Sequence, residues 1–380
     1  MHERIFLRLT LLVVLSAVAS TSLAHHGFGR FQMNIESEWS GTLTKVELVN
    51  PHTYMYFDSI DANGNVQPMR CEMRAASMLR RMGWSADLFV PGAYVEVQGN
   101  PHGDDPGACF LADFTLNETV EVNRYETLSS GNLDVSDRPL RLTSGEPNIS
   151  GSWAIEQTLR ATPPSGGEEV RVPASYREAF IRGEITFEEI RTLNPFPYHS
   201  TPVYTAAGRA LANAYDRDSV EDNPQLSCRP TSIVIDWTDG WPINSINQAT
   251  MARGDKIIDM GYGLITTSRR IHMDMGSHPA NLEPSNSGHS IGHWEGDTLI
   301  VDTVGFAAGM LVPPTPNSEQ LHVVERFALN TENFSLHRDW TATDPVYLEE
   351  PFEGADLLLL SDVSYVEQPC LELTPEFLQE

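Results

Sequence analysis

The sequence predicts a mainly β protein built from two barrels, with only a few short helices. Three observations carry this prediction. Between residues 38 and 122, five strand-like segments surround a single helical one. From residue 232 onward, many closely spaced strand-like segments alternate with turns rich in Gly, Asp, Asn and Pro. The other helical segments are short and lie between residues 175 and 215.

The first region has the element order of an OB-like barrel. Residues 93–99 show the clearest strand pattern, because Val95 and Val97 alternate with polar neighbours. The helical segment contains no breaker and ends at Gly83. Strands are predicted at 40–49, 53–58, 66–73, 93–99 and 108–116, and the helix at 75–82. Three strands, a helix and two more strands is the order of a small five-stranded OB barrel.

The second region predicts a larger antiparallel β-barrel or sandwich, because many strands follow one another closely. A Gly151-Ser-Trp153 opening before such strands has a lipocalin-like character, although a buried core tryptophan explains it equally well. Strands are predicted at 232–237, 243–249, 256–262, 267–273, 298–304, 322–330 and 333–341, and short helices at 175–182, 186–193 and 205–215.

These regions define the predicted domains. A signal peptide at 1–24 precedes the OB-like domain at 25–124. A polar, turn-rich linker at 125–148 leads into the β-rich domain at 149–380, which ends in an acidic tail.

The N-terminus has the pattern of a secretory signal peptide. Arg4 and Arg8 precede an apolar run at 9–19, and Ser22-Leu-Ala24 is a small-x-small cleavage site. The apolar run is too short to span a bilayer comfortably, and no later segment is long and apolar enough to do so. We therefore expect a periplasmic or secreted protein cleaved after Ala24, with cleavage after Ala19 as the alternative.

Export would place the four cysteines in an oxidising compartment. Disulfides Cys71–Cys109 and Cys228–Cys370 are favoured, because each would stay within one predicted domain. Buried free thiols are the alternative.

The charge balance excludes one class of partner. The chain has 25 Lys and Arg against 52 Asp and Glu, a net charge of −27, and would repel nucleic acid. The sequence also lacks a P-loop, a G-x-S-x-G elbow, an H-E-x-x-H helix and an EF-hand loop. Nucleotide hydrolases and nucleophile-elbow hydrolases are therefore disfavoured.

The mature N-terminus is a candidate copper site. Cleavage after Ala24 would leave His25 first, and the α-amine and imidazole of one first residue can chelate a metal together. A third nitrogen, from His26, His52 or His102, would complete an all-nitrogen site that suits copper. The predicted metal ligands are His25, His26 and His52. Alternatively, two polar residues merely follow a signal peptide.

The densest group of ionisable residues lies between residues 269 and 302, around a Gly- and Pro-rich loop. On a strand, His289 and His293 would share a face. His289, His293 and Asp302 are the candidate catalytic residues, for proton transfer; the histidines could instead bind a metal. Otherwise, 294–298 is a hairpin turn and the histidines are structural. The candidate ligand-binding residues are Arg269, Arg270, His272, His278 and Trp294.

Both regions resemble uncharacterised bacterial families. The first, over about residues 24–116, resembles small exported proteins of unknown function through His25-His26-Gly-Phe, Gly41-Thr-Leu-Thr-Lys-Val-Glu, Asn50-Pro-His52 and Leu79-Arg-Arg-Met-Gly-Trp84. The second resembles another such family through Gly288-His-Ser-Ile-Gly-His-Trp-Glu-Gly-Asp-Thr-Leu-Ile-Val-Asp-Thr-Val-Gly305. These resemblances imply an exported bacterial protein and carry over no activity.

Together these observations predict an exported protein that binds a small molecule in its C-terminal β-domain, with copper at its N-terminus. One alternative is an enzyme that uses the His, Asp and Arg residues on a lipophilic small molecule. Another is a structural or interaction module without a pocket. Neither nucleic acid nor a membrane-integral segment is expected, and no protein partner is indicated.

Overall fold

The computed structural model describes most of the chain between residues 31 and 367. Within that range it leaves out residues 62, 118–119, 124–134, 136, 157, 167–169, 196, 217–218, 220–221, 225–227, 238–242, 250–255, 264 and 266. The predicted signal peptide, His25, His26 and Cys370 lie outside the described residues, as do part of the predicted linker and the end of the acidic tail. In the described part, no helix is long and apolar enough to cross a membrane.

The first region folds as the predicted five-stranded OB-like barrel. Its strands follow the order β3-β2-β1-β4-β5, and a parallel pair between β3 and β5 closes the sheet. A short strand, β6, extends the sheet beyond β5. The elements are β1 (Ser37–Glu47), β2 (Tyr54–Ile60), β3 (Val66–Glu72), α1 (Ala76–Arg81), β4 (Tyr94–Pro101), β5 (Ala108–Leu116) and β6 (Val120–Asn123).

An apolar core and one disulfide hold this barrel together. Alternate residues of each strand point inward, and α1 contributes Leu79 to the same core. Cys71 and Cys109 are direct partners in the closing parallel pair and form the predicted disulfide. Cys228 is also disulfide-bonded, and its predicted partner, Cys370, lies outside the described residues.

The second region folds as a larger closed barrel of nine strands, which confirms the predicted fold class. The elements from residue 151 onward are β7 (Gly151–Ile155), β8 (Thr158–Ala161), β9 (Val170–Pro173), α2 (Arg177–Ile181), α3 (Phe187–Leu193), β10 (Tyr198–His199), α4 (Ala206–Ala214), β11 (Asn244–Asn247), β12 (Ile257–Tyr262), β13 (Thr267–His272), β14 (His289–Glu295), β15 (Thr298–Val304), β16 (Gly309–Val312), β17 (Thr315–Asn317), β18 (His322–Asn330), β19 (Ser335–Thr343) and β20 (Phe352–Leu360).

The barrel runs β7-β11-β12-β13-β14-β15-β18-β19-β20, and β20 pairs with β7 to close it. Its pairings are antiparallel except for β13 and β14, which run parallel. Parallel neighbours cannot be joined by a tight hairpin, because the chain must return along the barrel before the second strand starts. Residues 273–288 make that return, and they contain the Gly- and Pro-rich loop noted in the sequence.

Side chains fill the interior of the larger barrel. Trp237 is fully buried and packs edge-on against Tyr262 and Phe327. A buried ionic network crosses the same space, in which Glu325 contacts the guanidinium groups of Arg269 at 2.5 Å and Arg338 at 3.1 Å. The barrel interior is therefore a packed core with charged members.

One local prediction in this region is wrong, and one open question is settled. The apolar run at 232–237 predicts a strand, but these residues form a turn in which Asp236 N–H donates to Ser232 O. That turn fits the barrel because Arg338 donates to the carbonyls of Ile233 and Val234. Residues 289–295, for which the sequence leaves strand character open, form β14.

Other local predictions are close to the structure. The hairpin turn within 294–298 is present, with Gly296 at a φ of 61°. The helix predicted at 205–215 is present as α4, and Thr205 caps it through a hydrogen bond from Gly208 N–H to its hydroxyl.

Candidate functional site

Three neighbouring strands place ionisable side chains on the outer wall of the larger barrel. In the β14–β15 pair Ile291 lies opposite Asp302, and in the β15–β18 pair Asp302 lies opposite Val324. Because residues two apart share a face of a strand, His289 and His322 point to the same side as Asp302. The first residues of β14 and β18 thus meet near the end of β15.

The parallel pairing of β13 and β14 brings a further histidine to this wall. The 273–288 connection passes back over the wall, and His278 within it is mostly buried. His272, the last residue of β13, stacks on the His289 ring with a centroid separation of 5.1 Å and an interplanar angle of 8°. We call these residues the histidine–aspartate cluster: His272, His278, His289, Asp302 and His322.

Hydrogen bonds join four members of the cluster into one chain. His278 Nδ1 lies 2.9 Å from His289 Nδ1, and His278 Nε2 lies 2.9 Å from Asp302 Oδ1. The other carboxylate oxygen, Oδ2, is 3.0 Å from His322 Nε2. Asp302 therefore sits between two imidazoles, and His278 links it to a third.

The environment shifts two pKa values in a consistent direction. Burial lowers the pKa of His289, and the neighbouring His272 and His278 lower it further. Burial raises the pKa of Asp302, but the hydrogen bonds from His278 and His322 outweigh it and hold that pKa below its usual range. At neutral pH the cluster thus contains a carboxylate anion, Asp302, and an uncharged imidazole, His289.

The geometry sets the position of the protons. A carboxylate only accepts hydrogen bonds, so His278 donates to Asp302 through Nε2–H. In the tautomer whose His278 Nδ1 carries no proton, this nitrogen accepts the Nδ1–H of His289. His289 Nε2 then keeps its lone pair. This arrangement suits a general base whose acquired charge is offset through His278 by Asp302.

The two predicted arginines point in opposite directions. Arg269 faces the barrel interior, where it is ion-paired with Glu325 and donates to Tyr262 Oη at 3.1 Å and Thr303 Oγ1 at 2.7 Å. Arg270 faces outward and pairs with Asp259 at 3.1 Å. Consecutive residues of β13 cannot line one pocket, because they alternate across the sheet.

Two other predicted residues lie apart from the cluster. His293 shares the outer face with His289, as expected, but its side chain is 62% exposed and contacts Glu295 at 3.2 Å. Glu295 also pairs with Arg326 at 3.4 Å. Trp294 packs against the core of the larger barrel. Neither side chain joins the hydrogen-bonded chain.

His322 is a member of the cluster that sequence reasoning missed. It lies twenty residues beyond Asp302, outside the dense segment of ionisable residues. A usable signal was present, because the predicted strand at 322–330 begins at His322 and is the next predicted strand after 298–304. The pairing of β15 with β18 was needed to bring the two residues together.

Of the three predicted metal ligands, His25 and His26 lie outside the described residues. His52 pairs with Glu72 at 2.7 Å. Burial lowers the pKa of His52, but Glu72 more than offsets this and raises it. Among the described residues, no three His, Cys, Asp or Glu side chains are arranged to hold a metal ion.

Comparison with known proteins supports one of the two resemblances at a coarse level. No curated protein and no solved structure matches the chain. The model of DUF6152, a family of unknown function, matches residues 13–108. About a quarter of the chain, including most of the smaller barrel, is therefore similar to an uncharacterised family.

Proposed function

We propose that this chain is an exported enzyme-like protein that binds a small molecule at the outer wall of its larger barrel and exchanges a proton with it. The observation that carries this proposal is the half-buried Asp302, hydrogen-bonded to two imidazoles and linked through His278 to His289. His289 acts as the general base, and His278 and Asp302 orient it.

The packed interior supports a site on the outer wall. The network of Arg269, Glu325 and Arg338 and the side chain of Trp237 occupy the space that a lipocalin-like ligand would need. The outer wall, in contrast, offers a base with a lowered pKa that is only partly buried. Perturbed titratable groups of this kind cluster at functional sites.

A generic proton-abstraction probe tests the proposal without knowledge of the natural substrate. A base that removes the C3 proton of 5-nitrobenzisoxazole breaks the N–O bond and releases a coloured cyanophenolate. We expect the mature protein to accelerate this reaction and His289→Ala to lower the rate about a hundredfold. Asp302→Asn should lower it at least about tenfold, because His278 loses its orienting partner.

Asp339→Asn is the matched control. Asp339 is also an outward-facing carboxylate beside a histidine, at 3.5 Å from His337 Nε2, but it belongs to β19 and not to the cluster. The Asp339→Asn variant should cleave 5-nitrobenzisoxazole at the rate of the unmodified protein. A rate that is the same in His289→Ala and in the unmodified protein would contradict the proposed role of the cluster.

We also propose that the chain is exported, with cleavage after Ala24, and that the new N-terminus binds copper. The Cys71–Cys109 disulfide and the signal-like sequence support export. Copper binding rests on the sequence His25-His26. N-terminal sequencing of exported protein should begin at His25, and copper titration should then show one site that His25→Ala removes. A different first residue would rule out chelation by the α-amine.

A further inference from the structure

A cavity of about 330 Å³ opens at the end of the larger barrel. Its walls come from the 273–288 connection, from residues 306–310 after β15, from Asn317, and from residues 222, 224 and 229–232. Its lining includes Phe306, Met310, Thr231, Asn286 and Asn317. A cavity of this size accommodates a small organic molecule.

The cavity is built from the same chain segments as the histidine–aspartate cluster. Asn286 belongs to the connection that carries His278, and Phe306 follows the strand that carries Asp302. Backbone hydrogen bonds fix the two segments together, from Ser285 N–H to Gly305 O at 3.1 Å and from Ala307 N–H to Ser285 O at 2.8 Å. Cavity and cluster therefore lie at the same end of the barrel.

The lining indicates an uncharged, amphipathic ligand. Phe306 and Met310 give an apolar surface, whereas Thr231 and Asn317 supply buried polar groups. The amide nitrogen of Asn317 donates to Ala307 O and Ser318 O, which leaves its oxygen as an acceptor.

The polar groups of the lining favour a ligand that forms hydrogen bonds and carries no charge. The Thr231 hydroxyl is buried and has no hydrogen-bond partner among the described residues. Leaving such a group unpaired is costly, and a ligand hydroxyl or carbonyl would satisfy it. The charged lining residues, Asp222 and Arg229, are of opposite sign and give no net preference for an ion.

We infer that this cavity is a second ligand site, separate from the proton-transfer site, and that it takes an uncharged small molecule with an aromatic or alicyclic body and an oxygen function. No member of the histidine–aspartate cluster lines the cavity. Ligand binding there therefore does not depend on the chemistry of the cluster.

Three benzene derivatives of one size test the ligand class. Saturation-transfer NMR on the full mature chain compares benzyl alcohol, benzoate and benzylammonium. We expect benzyl alcohol to bind and the two ions to bind at least about fivefold more weakly, because neither charge is matched. Equal or tighter binding of either ion, or no binding of benzyl alcohol, overturns the ligand class.

A cavity-filling variant tests the location. Gly309 lines the cavity, and a Cβ at this position would meet only Asn317 Oδ1, at 3.6 Å. Gly309→Leu should therefore fold normally and weaken benzyl alcohol binding at least about fivefold by filling the space. Ala210→Leu, at an exposed position of α4, is the control and should not change it. Unchanged binding in Gly309→Leu would place the ligand elsewhere.

Two further measurements separate this inference from the proposed function. Asp302→Asn should keep benzyl alcohol binding even though it slows proton abstraction, because Asp302 does not line the cavity. Benzyl alcohol at saturating concentration should also leave turnover of 5-nitrobenzisoxazole unchanged. Competitive inhibition would place the ligand at the cluster and not in the cavity.

Discussion

At the scale of single residues, the central feature is that the carboxylate of Asp302 accepts hydrogen bonds from two imidazoles, those of His278 and His322. Its two oxygens accept from His278 and His322, which keeps its pKa below the usual range despite burial. His289 lies on the other side of His278, and its pKa is lowered by burial and by the adjacent imidazoles. The cluster thus favours the anionic form of Asp302 and the neutral form of His289.

This coupling predicts a specific pH dependence. The pKa of His289 should lie below ~6.5, so that its base form predominates at neutral pH and is lost as the pH falls. His272→Gln should raise the pKa of His289 toward its ordinary value, because one neighbouring imidazole is removed. Imidazole chemical shifts followed by NMR over about pH 4–8 measure this directly.

The control for this titration is His293→Gln, since His293 shares the face but contacts Glu295 and not the cluster. It should leave the titration of His289 unchanged.

The same pKa shifts predict how stability depends on pH. At acidic pH, both His289 and Asp302 bind fewer protons in the folded than in the unfolded state. The free energy of unfolding should therefore fall as pH drops from ~6.5 through the lowered pKa values of His289 and then of Asp302. A His289 pKa that His272→Gln leaves unchanged would contradict the coupling.

At the scale of elements, the inner and outer faces of β13, β15 and β18 contribute side chains to two different groups of charged residues. The inner faces contribute Arg269, Thr303 and Glu325 to a buried network, and the outer faces contribute His272, Asp302 and His322 to the cluster. Ionic contacts on the inner faces therefore stabilise the strands that position the site. Any slip of one residue in register would exchange the two sets.

The buried network predicts a large cost for losing one charge. Glu325→Gln would leave Arg269 without its carboxylate partner inside the barrel, and should lower the free energy of unfolding by about 3–5 kcal/mol. Glu353→Gln, at an exposed position of β20, should change the free energy of unfolding by less than about 0.5 kcal/mol. Urea unfolding measures both. Similar values for the two variants would show that the network contributes little.

The elements also show what sequence patterns can and cannot predict. Strand-like runs bounded by turn residues predict β15 and β18 at their observed bounds of 298–304 and 322–330. The prediction for residues 232–237 is wrong, because an apolar run looks the same in a strand and in a buried turn. The density of ionisable residues points to His278, His289 and Asp302, but only strand pairing could add His322 and set aside His293.

At the scale of the whole molecule, a buried arginine connects the two barrels. Arg81, at the end of α1, is buried and donates to the carbonyl of Ile155 in β7 of the larger barrel. Burial lowers the pKa of Arg81 to about 10, although Asp362 and Glu156 partly offset this. Ala75 and Ile265 add an apolar contact beside it.

This tie predicts coupled unfolding of the barrels. Arg81→Met should remove a charged hydrogen bond, and the melting temperature of the smaller barrel should fall by about 5 °C or more. Differential scanning calorimetry should then show its transition separating from that of the larger barrel. Arg80→Met, one residue away and only partly buried, is the control. Identical thermograms for the two variants would count against the tie.

The disulfide of the smaller barrel has a mechanical consequence for this tie. Cys71 and Cys109 are 38 residues apart in sequence, and α1 lies between them. Tension applied along the backbone, from the N-terminal side toward the larger barrel, would pass through the sulfur–sulfur bond and bypass the enclosed segment. The helix that carries Arg81 lies within that enclosed segment, so a pull that extends the flanking strands would not unravel it while the disulfide is intact.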